Sequence, residues 1–317
     1  MSNHSSSILV TGASGLLGRA TLTWLGTASR VYALTRMPPQ QPLPQNAALV
    51  VHDLQRRDDL PLTEAPETIV HLAQSPRYRD FPEGATEVFD VNAGSTQRLL
   101  DWGYRNGVRR FIYASTGGLY GHGEHAFRED DSVDGVGALR HYYVSKRCGE
   151  LLAQSYTGQM IVVVLRFFFA YGPGQAKAML MSRLIDRVIN QQPIVLQGRD
   201  GFRLNPIYAS DAAAAIGAAV SLETSETINV AGEQILTLRE IATTIGDLVG
   251  IAPLFETRSY EPAKHLVGCT DKMKRLLGSP EVTIKAGLEQ MIDCDWDQER
   301  IESRNHHIVA DRPAEQR

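Results

Sequence analysis

The sequence predicts an α/β protein: a parallel sheet covered by helices on both faces, with a smaller C-terminal lobe. Three features point to it. Apolar runs of strand length alternate with helical stretches through the first half, the rhythm of parallel strands joined by crossover helices. The runs are continuously apolar, as strands buried on both faces require. After Arg166 the rhythm changes, which marks a second unit.

In order, Ile8-Leu9-Val10 is a buried strand that stops at Gly12, and a helix follows from Leu16 to Leu25. Val31 to Leu34 is the second strand, and the prolines from Pro38 to Pro44 make a surface loop. Leu49 to Val51, Thr68 to Val70, Phe111 to Tyr113 and Ile161 to Leu165 are further strands, with helical segments between several of them. Tyr142 to Ala153 lacks proline and reads as a helix, with Leu151 and Leu152 on an apolar edge. Beyond Arg166, Met179 to Asn190 is a helix and Ile194 to Leu196 a short strand. Asp211 opens an alanine-rich helix, Thr227 to Val230 is a strand, and Leu238 to Val249 a helix. The tail from Glu302 is polar and expected to be poorly ordered.

At 317 residues, 43% hydrophobic, the chain has room for one large domain with a smaller lobe, or for two domains. A net charge of −4 without a basic stripe argues against a nucleic-acid partner. Ile161 to Leu165 and Ala212 to Val220 are too short to span a membrane, and the polar start Met1 to Ser7 is not a signal peptide. Cys148, Cys269 and Cys294 are scattered and lack metal-ligand spacing. No metal is expected, and the setting expected is reduced and cytoplasmic.

Thr11-Gly12-Ala13-Ser14-Gly15-Leu16-Leu17-Gly18 follows a strand and opens a helix. Glycines there let the backbone turn tightly and approach a pyrophosphate, whose charge the helix N-terminus favours. Gly12, Ser14, Gly15, Leu16 and Gly18 are the candidate dinucleotide contacts. The fold expected is therefore a Rossmann-type doubly wound parallel sheet. Residues 1–170 form the dinucleotide-binding domain, a segment of roughly 205–232 returns to it, and 171–317 is mainly the substrate lobe. NAD enzymes usually place a carboxylate about 20 residues beyond the glycines, yet no Asp or Glu precedes Asp53. The second strand ends in Thr35-Arg36, and an arginine there suits a 2′-phosphate through charge-assisted hydrogen bonds. Read alone, Arg36 is also an ordinary solvated charge. NADP is the favoured cofactor and NAD the alternative.

The chemistry is concentrated in His141-Tyr142-Tyr143-Val144-Ser145-Lys146, which sets a phenol and an ammonium on one helix face. Tyr260 and Lys264 repeat the spacing, but Pro262 between them removes a helical hydrogen bond and puts that pair on a loop. Taking a hydride from a carbinol requires removal of its hydroxyl proton, and Tyr142 is the candidate acid/base. A phenol of pKa about 10 must fall by about three units, roughly 4 kcal/mol, to work near neutrality. One ammonium at about 4 Å supplies about 4 kcal/mol at an effective dielectric of about 20, so Lys146 is of the right size. Ser115-Thr116, at the end of the preceding strand, offers hydroxyl donors, although such hydroxyls also commonly satisfy backbone groups.

Further marks run along the chain: His52-Asp53-Leu54, His71-Leu72-Ala73, Val91-Asn92-Ala93-Gly94-Ser95 and Tyr120-Gly121. Later come Leu165-Arg166, Tyr171-Gly172-Pro173-Gly174 and Asn229-Val230-Ala231-Gly232. In this order and spacing the chain resembles, over nearly its whole length, an extended short-chain dehydrogenase/reductase of the NAD-dependent epimerase/dehydratase family. The resemblance implies that Asp53 contacts the adenine, that Leu54 and Leu72 belong to the cofactor site, and that Ala73 lines its groove. It implies that Asn92 steadies the active-site helix and that Lys146 also holds the nicotinamide ribose. Thr116 matches the family hydroxyl that meets the reacting oxygen, and Ser115 could share or take that role. Relatives pair through the helices that carry Asn92 and Tyr142, so a homodimer is expected.

Where the family's 4,6-dehydratases carry Asp-Glu after the threonine, this chain has Gly117-Gly118, and the Glu of decarboxylating relatives is absent. Elimination and decarboxylation are therefore not expected. The asparagine that meets a diphosphate in sugar-nucleotide epimerases is replaced by Phe169, and a later arginine by Leu204, with Arg203 adjacent and Asn205-Pro206-Ile207-Tyr208 following. Phe169, Arg203 and Tyr208 are the candidate substrate contacts; the aromatic run is also compatible with core packing. The reading is hydride transfer at an alcohol or ketone carbon of a sugar-like or nucleotide-sugar substrate, with net epimerisation. The alternatives are a one-way NADPH-dependent ketoreductase and a non-catalytic nucleotide sensor. His122 and His125 are read as surface residues and His71 as a strand-end residue. His306 and His307 lie in the tail.

Overall fold

A computed structural model describes residues 7–26, 30–39, 42–134, 137, 139–259 and 265–296. Their order begins β1 (Ser7–Thr11), α1 (Leu16–Leu25), β2 (Arg30–Thr35), β3 (Ala47–Val51), β4 (Thr68–His71) and α2 (Ala85–Phe89). A π-helical turn (Asp90–Gly94) runs into α3 (Ser95–Arg105), followed by β5 (Arg110–Thr116), a 3₁₀ turn (Gly117–Tyr120), β6 (Ala126–Phe127), α4 (Arg140–Gln154) and β7 (Ile161–Phe167). Then come α5 (Leu180–Ile189), β8 (Ile194–Gln197), β9 (Arg203–Leu204), α6 (Ala209–Val220) and β10 (Glu226–Val230). The described part ends with β11 (Leu236–Thr237), α7 (Leu238–Val249), β12 (Phe255–Ser259), β13 (Val267–Gly268), α8 (Asp271–Leu276) and α9 (Ile284–Asp295).

Within these residues the main sheet runs β3-β2-β1-β4-β5-β7-β10, and every neighbouring pair is parallel. The chain winds outward from β1 in both directions, so β1 and β4 flank the point where connections diverge. Ligands of such sheets bind at the C-terminal strand ends beside that point. Here those ends carry Gly12 and Ala73.

The apolar runs explain the sheet. Ile8, Val10, Ala33, Ile112, Val163 and Leu165 pack under α1 and α6, and Leu9, Tyr32, Ile69, Phe111, Tyr113 and Val164 under α3 and α4. A separate core joins α5, α7 and α9 through Leu184, Ile185, Ile241, Ile245, Leu288 and Met291. β10 pairs with β7 and so returns to the main sheet from the later half of the chain. The helix expected from Asp211 starts at Ala209, because Tyr208 is still extended and serves as its N-cap. No helix among the described residues is long and apolar enough to cross a membrane.

Candidate active site

The nucleotide cradle follows from the glycines. Gly12 has φ 66°, and a Cβ there would lie 2.8 Å from the Ala73 backbone. A Cβ on Gly18 would meet the Gly12 carbonyl at 2.2 Å, so α1 approaches the turn only because that position has no side chain. Ser14 and Gly15 are exposed at the start of the helix, and Leu16 is half-buried. The result is a shallow open cradle at a helix N-terminus, which suits a pyrophosphate. Arg19 braces it by donating to the carbonyls of Ser14 (2.7 Å) and Gly174 (3.2 Å). The Gly174 amide in turn donates to both carboxylate oxygens of Asp295, at the end of α9.

Beside the cradle, β1, β4 and α3 are tied by one buried histidine. His71 Nδ1 is 2.7 Å from Thr11 Oγ1, and its Nε2 is 3.1 Å from Thr96 Oγ1. Burial, with Lys146 nearby, pushes its pKa down to about 3, so the ring is neutral. The Ala73 amide donates to the same Thr11 hydroxyl at 3.3 Å. Asp53 is half-buried and accepts from the Gln55 amide, and Leu54 is buried beside it. Leu72 and Ala73 are half-buried along the groove.

Asn92 lies in the π-helical turn, where one extra residue per turn re-aims the side chain. Its amide donates to Ser145 Oγ at 2.9 Å, and its carbonyl accepts from the Ser75 amide at 3.1 Å. One buried side chain thus fixes both α4 and the loop after β4. A second anchor on α4 is Glu150, whose carboxylate accepts two bonds of 2.9 Å from Arg166. Burial alone would raise this carboxyl, but Arg166 holds it below its ordinary value. Arg166 also donates to Tyr120 Oη at 2.7 Å.

From that base α4 presents Tyr142. Its ring packs against Tyr78 (5.2 Å) and Tyr143 (5.6 Å), and its hydroxyl donates to Gln74 Oε1 at 3.1 Å. Lys146 is buried and donates to the Ala114 carbonyl at 2.8 Å, with its ammonium 5.2 Å from the Tyr113 ring centre. Thr116 Oγ1 accepts from the Gly118 amide at 3.1 Å.

The electrostatics differ from the sequence expectation. Burial pushes the Tyr142 phenol well up from 10, with Tyr143 and Tyr78 adding to it and the Thr116 hydroxyl opposing. Lys146 is not the dominant influence; burial pushes its own pKa down to about 7. The three-unit depression credited to Lys146 is therefore not produced by the protein alone. An ammonium this desolvated and bonded to a strand carbonyl is not the free charge of the simple Coulomb argument.

Tyr142, Lys146, Thr116, Asn92 and Ala73 gather where β4 and β5 end, next to the glycine cradle. Ser115 is not with them. Its side chain alternates with that of Thr116 along β5 and is buried near Glu150, whose carboxyl its hydroxyl helps to hold low. Phe169 is half-buried with its ring 5.9 Å from Phe202, and its φ of 47° is left-handed. Arg203 is exposed on β9. Tyr208 is buried, donates to Gln290 Oε1 at 2.6 Å and stands edge-on to Tyr171, a packing position. Leu204 is fully buried.

The glycines after Thr116 have a packing cause. A Cβ on Gly117 would lie 2.5 Å from the Phe168 ring, and one on Gly118 2.3 Å from the Tyr143 ring. Gln74, Tyr78 and Ser145 were missed as site residues. Ser145 lay inside the quoted motif, while nothing in the local sequence distinguishes Gln74. The pair Tyr260 and Lys264 lies outside the described residues, as do His306 and His307. His122 and His125 are exposed, and His125 lies 3.1 Å from an Asp131 oxygen.

Fold and site define a dinucleotide-dependent oxidoreductase. The family model described as NAD dependent epimerase/dehydratase family matches residues 8–231, and the chain belongs to that family. It is 27% identical over 239 residues to an uncharacterized UDP-glucose epimerase, YtcB, of Bacillus subtilis strain 168, covering 73% of this chain and 75% of that protein. It is 29% identical over 241 residues to a UDP-glucuronate 4-epimerase of Thermodesulfobacterium geofontis, covering 74% and 73%. Among solved structures it resembles MoeE5 in complex with UDP-glucuronic acid and NAD, with TM-score 0.78, 26% identity, and coverage of 91% and 98%.

The expected preference for NADP is overturned. MoeE5 was solved with NAD, and NAD is the cofactor indicated. Arg36 is exposed just beyond β2. Among the described residues nothing fixes this guanidinium, so it reads as a solvated charge rather than a built phosphate site, which is why its sign misled.

Proposed function

We propose that the protein interconverts the 4-epimers of a nucleotide-activated sugar. The observation that carries this reading is the meeting of Tyr142, Thr116 and Lys146 beside the cradle, with glycine at 117 and 118. Such a site can move a proton and a hydride and has no group to drive elimination.

The turn at Gly12, Gly15 and Gly18, whose close packing against Ala73 and α1 leaves no room for a Cβ at 12 or 18, fits the NAD pyrophosphate at the helix N-terminus. Lys146 and Tyr142 would hold the nicotinamide ribose, and Asp53 with Leu54 the adenine, as the family resemblance implies. When bound, NAD would supply a reversible hydride acceptor. Tyr142 Oη takes the carbinol proton while the C–H electron pair leaves with the hydride. Thr116 donates to the oxygen that becomes the carbonyl. The ketone then turns its other face, and both transfers reverse. α5, α7 and α9 form the substrate lobe, with Phe169 and Arg203 toward the nucleotide end. The ketoreductase alternative rested on NADPH and has lost that support. A homodimer through the faces of α2, α3 and α4 accords with exposed Phe89 (47%), Tyr104 (53%), Val144 (49%) and Leu151 (51%).

The test is incubation of the NAD-loaded protein with UDP-glucose, UDP-galactose and their uronates, followed by chromatography of the released sugars. Epimers should form without net NADH, and the C4 hydrogen should be retained from substrate to product. Stoichiometric NADH release, or no epimer from any of the four, would defeat the reading.

A further inference from the structure

The Tyr142 hydroxyl has a partner that the acid/base scheme above does not use. Gln74 follows β4 directly, and its carboxamide accepts from Tyr142 Oη at 3.1 Å. Its backbone is pinned on both sides: the Ala73 amide donates to Thr11 Oγ1 at 3.3 Å, and the Ser75 amide to Asn92 Oδ1 at 3.1 Å. Ser75 is itself buried and donates to Glu87 at 2.8 Å. The base of the side chain is therefore fixed, while the side chain itself is exposed.

An epimerase asks one phenol to do opposite things within a single turnover. It must be a phenolate when it takes the carbinol proton and a phenol when it returns one. Its neighbour should therefore accept a hydrogen bond at one moment and donate one at the next. A carboxamide is an uncharged side chain that does both from one place, by half a turn about its last bond. A carboxylate could only accept, and an ammonium could only donate.

We propose that Gln74 is a positioning residue for Tyr142, accepting a hydrogen bond from the phenol in one half-reaction and donating one to the phenolate in the other. The groups that face Tyr142 from the packed elements cannot fill both roles. Tyr78 and Tyr143 lie against its ring and, after burial, work against its ionisation. Tyr113 on β5 is also affected by it, and Lys146 is engaged with the Ala114 carbonyl. The Thr116 hydroxyl favours the ionised form but is required at the substrate oxygen. Among them Gln74 is the uncharged, two-way group that is bonded to the Tyr142 hydroxyl and lies off the reacting atom.

The inference rests on the proposed epimerase reading, so its test needs no sugar. Tyrosinate absorbance of the NAD-loaded protein is followed from pH 6 to 10, with the Tyr142→Phe protein subtracted. Gln74→Met keeps the length and removes both bonds. A bond to an ionised oxygen is about twice as strong as one to a neutral oxygen. Losing the pair should therefore move Tyr142 ionisation upward by roughly half to one pH unit. Where epimerisation is measured, kcat should fall several-fold with KM little changed.

A downward shift would mean that Gln74 only locks the neutral phenol, and would overturn the proposal. Coincident curves, or no Tyr142 ionisation below pH 10 in the unmodified protein, would overturn it equally. A protein that shows the upward shift yet epimerises no nucleotide sugar would defeat the epimerase reading and leave the two-way bond standing.

Discussion

At the scale of single residues, Tyr142 is the position whose chemistry the surroundings single out. It keeps its ring contacts when the hydroxyl is removed, so Tyr142→Phe should leave NAD affinity nearly unchanged. Turnover should fall about 10²–10⁴-fold, the usual worth of general acid/base catalysis. Steady-state rates beside an NAD titration check this, and near-normal turnover would remove Tyr142 from the role. Phe169 is the other informative residue. Its left-handed φ of 47° is a conformation that asparagine tolerates far better than phenylalanine. Phe169→Asn should therefore fit without moving the backbone and should restore a donor toward a diphosphate. A bond of that kind is worth about 1.5–3 kcal/mol, so UDP-glucose should bind about tenfold tighter or more by calorimetry. Weaker binding would show that the ring, not a polar group, holds the nucleotide end.

At the scale of elements, β1, β4 and α3 meet at His71, and this meeting sets a pH dependence. The ring is neutral when folded, with its pKa pushed by burial down to about 3, whereas the unfolded ring takes a proton near 6.5. The unfolded chain thus binds more protons between those values, and stability present above pH 6.5 drains away as pH falls toward 3. Urea midpoints taken from pH 7 to 4 should drop more steeply for the unmodified protein than for His71→Gln. Parallel slopes would mean that the ring is protonated in the folded state.

The elements also show what the sequence made legible. Continuous apolar runs such as Ile161 to Leu165 announced the main sheet, because burial on both faces leaves no other composition. Tyr142 and Lys146 were legible because helical spacing is local geometry. Which hydroxyl faces the site was not, since Ser115 and Thr116 are told apart only by the phase of β5 against its helices. Gln74 was hidden for a similar reason: its partner lies across the groove on α4, and no local pattern records that distance. Arg36 misled because charge is visible in a sequence while the surroundings that would aim it are not.

At the scale of the whole molecule, the exposed apolar side chains of α2, α3 and α4 lie on the helices that the family resemblance assigns to subunit pairing. Sedimentation at micromolar concentration should give twice the 35.0 kDa chain mass. Val144→Asp with Leu151→Arg should reduce it to the single mass without unfolding the protein. A monomer in the unmodified protein would remove the interface.

Arg19 has a consequence at this scale as well. It holds the cofactor turn and the Gly174 loop at once, and Gly174 is held by the last residue of α9. A ligand that draws α9 inward therefore pulls on the floor beneath the dinucleotide. Affinities joined in this way must change each other by equal factors. Occupancy by the sugar nucleotide should tighten the binding of NAD, and bound NAD should tighten the sugar nucleotide by the same factor. The cofactor would then stay through many turnovers without a covalent bond, retained most firmly when a half-finished ketone is in the pocket. In Arg19→Ala, stopped-flow release of NAD should become indifferent to the presence of UDP-sugar.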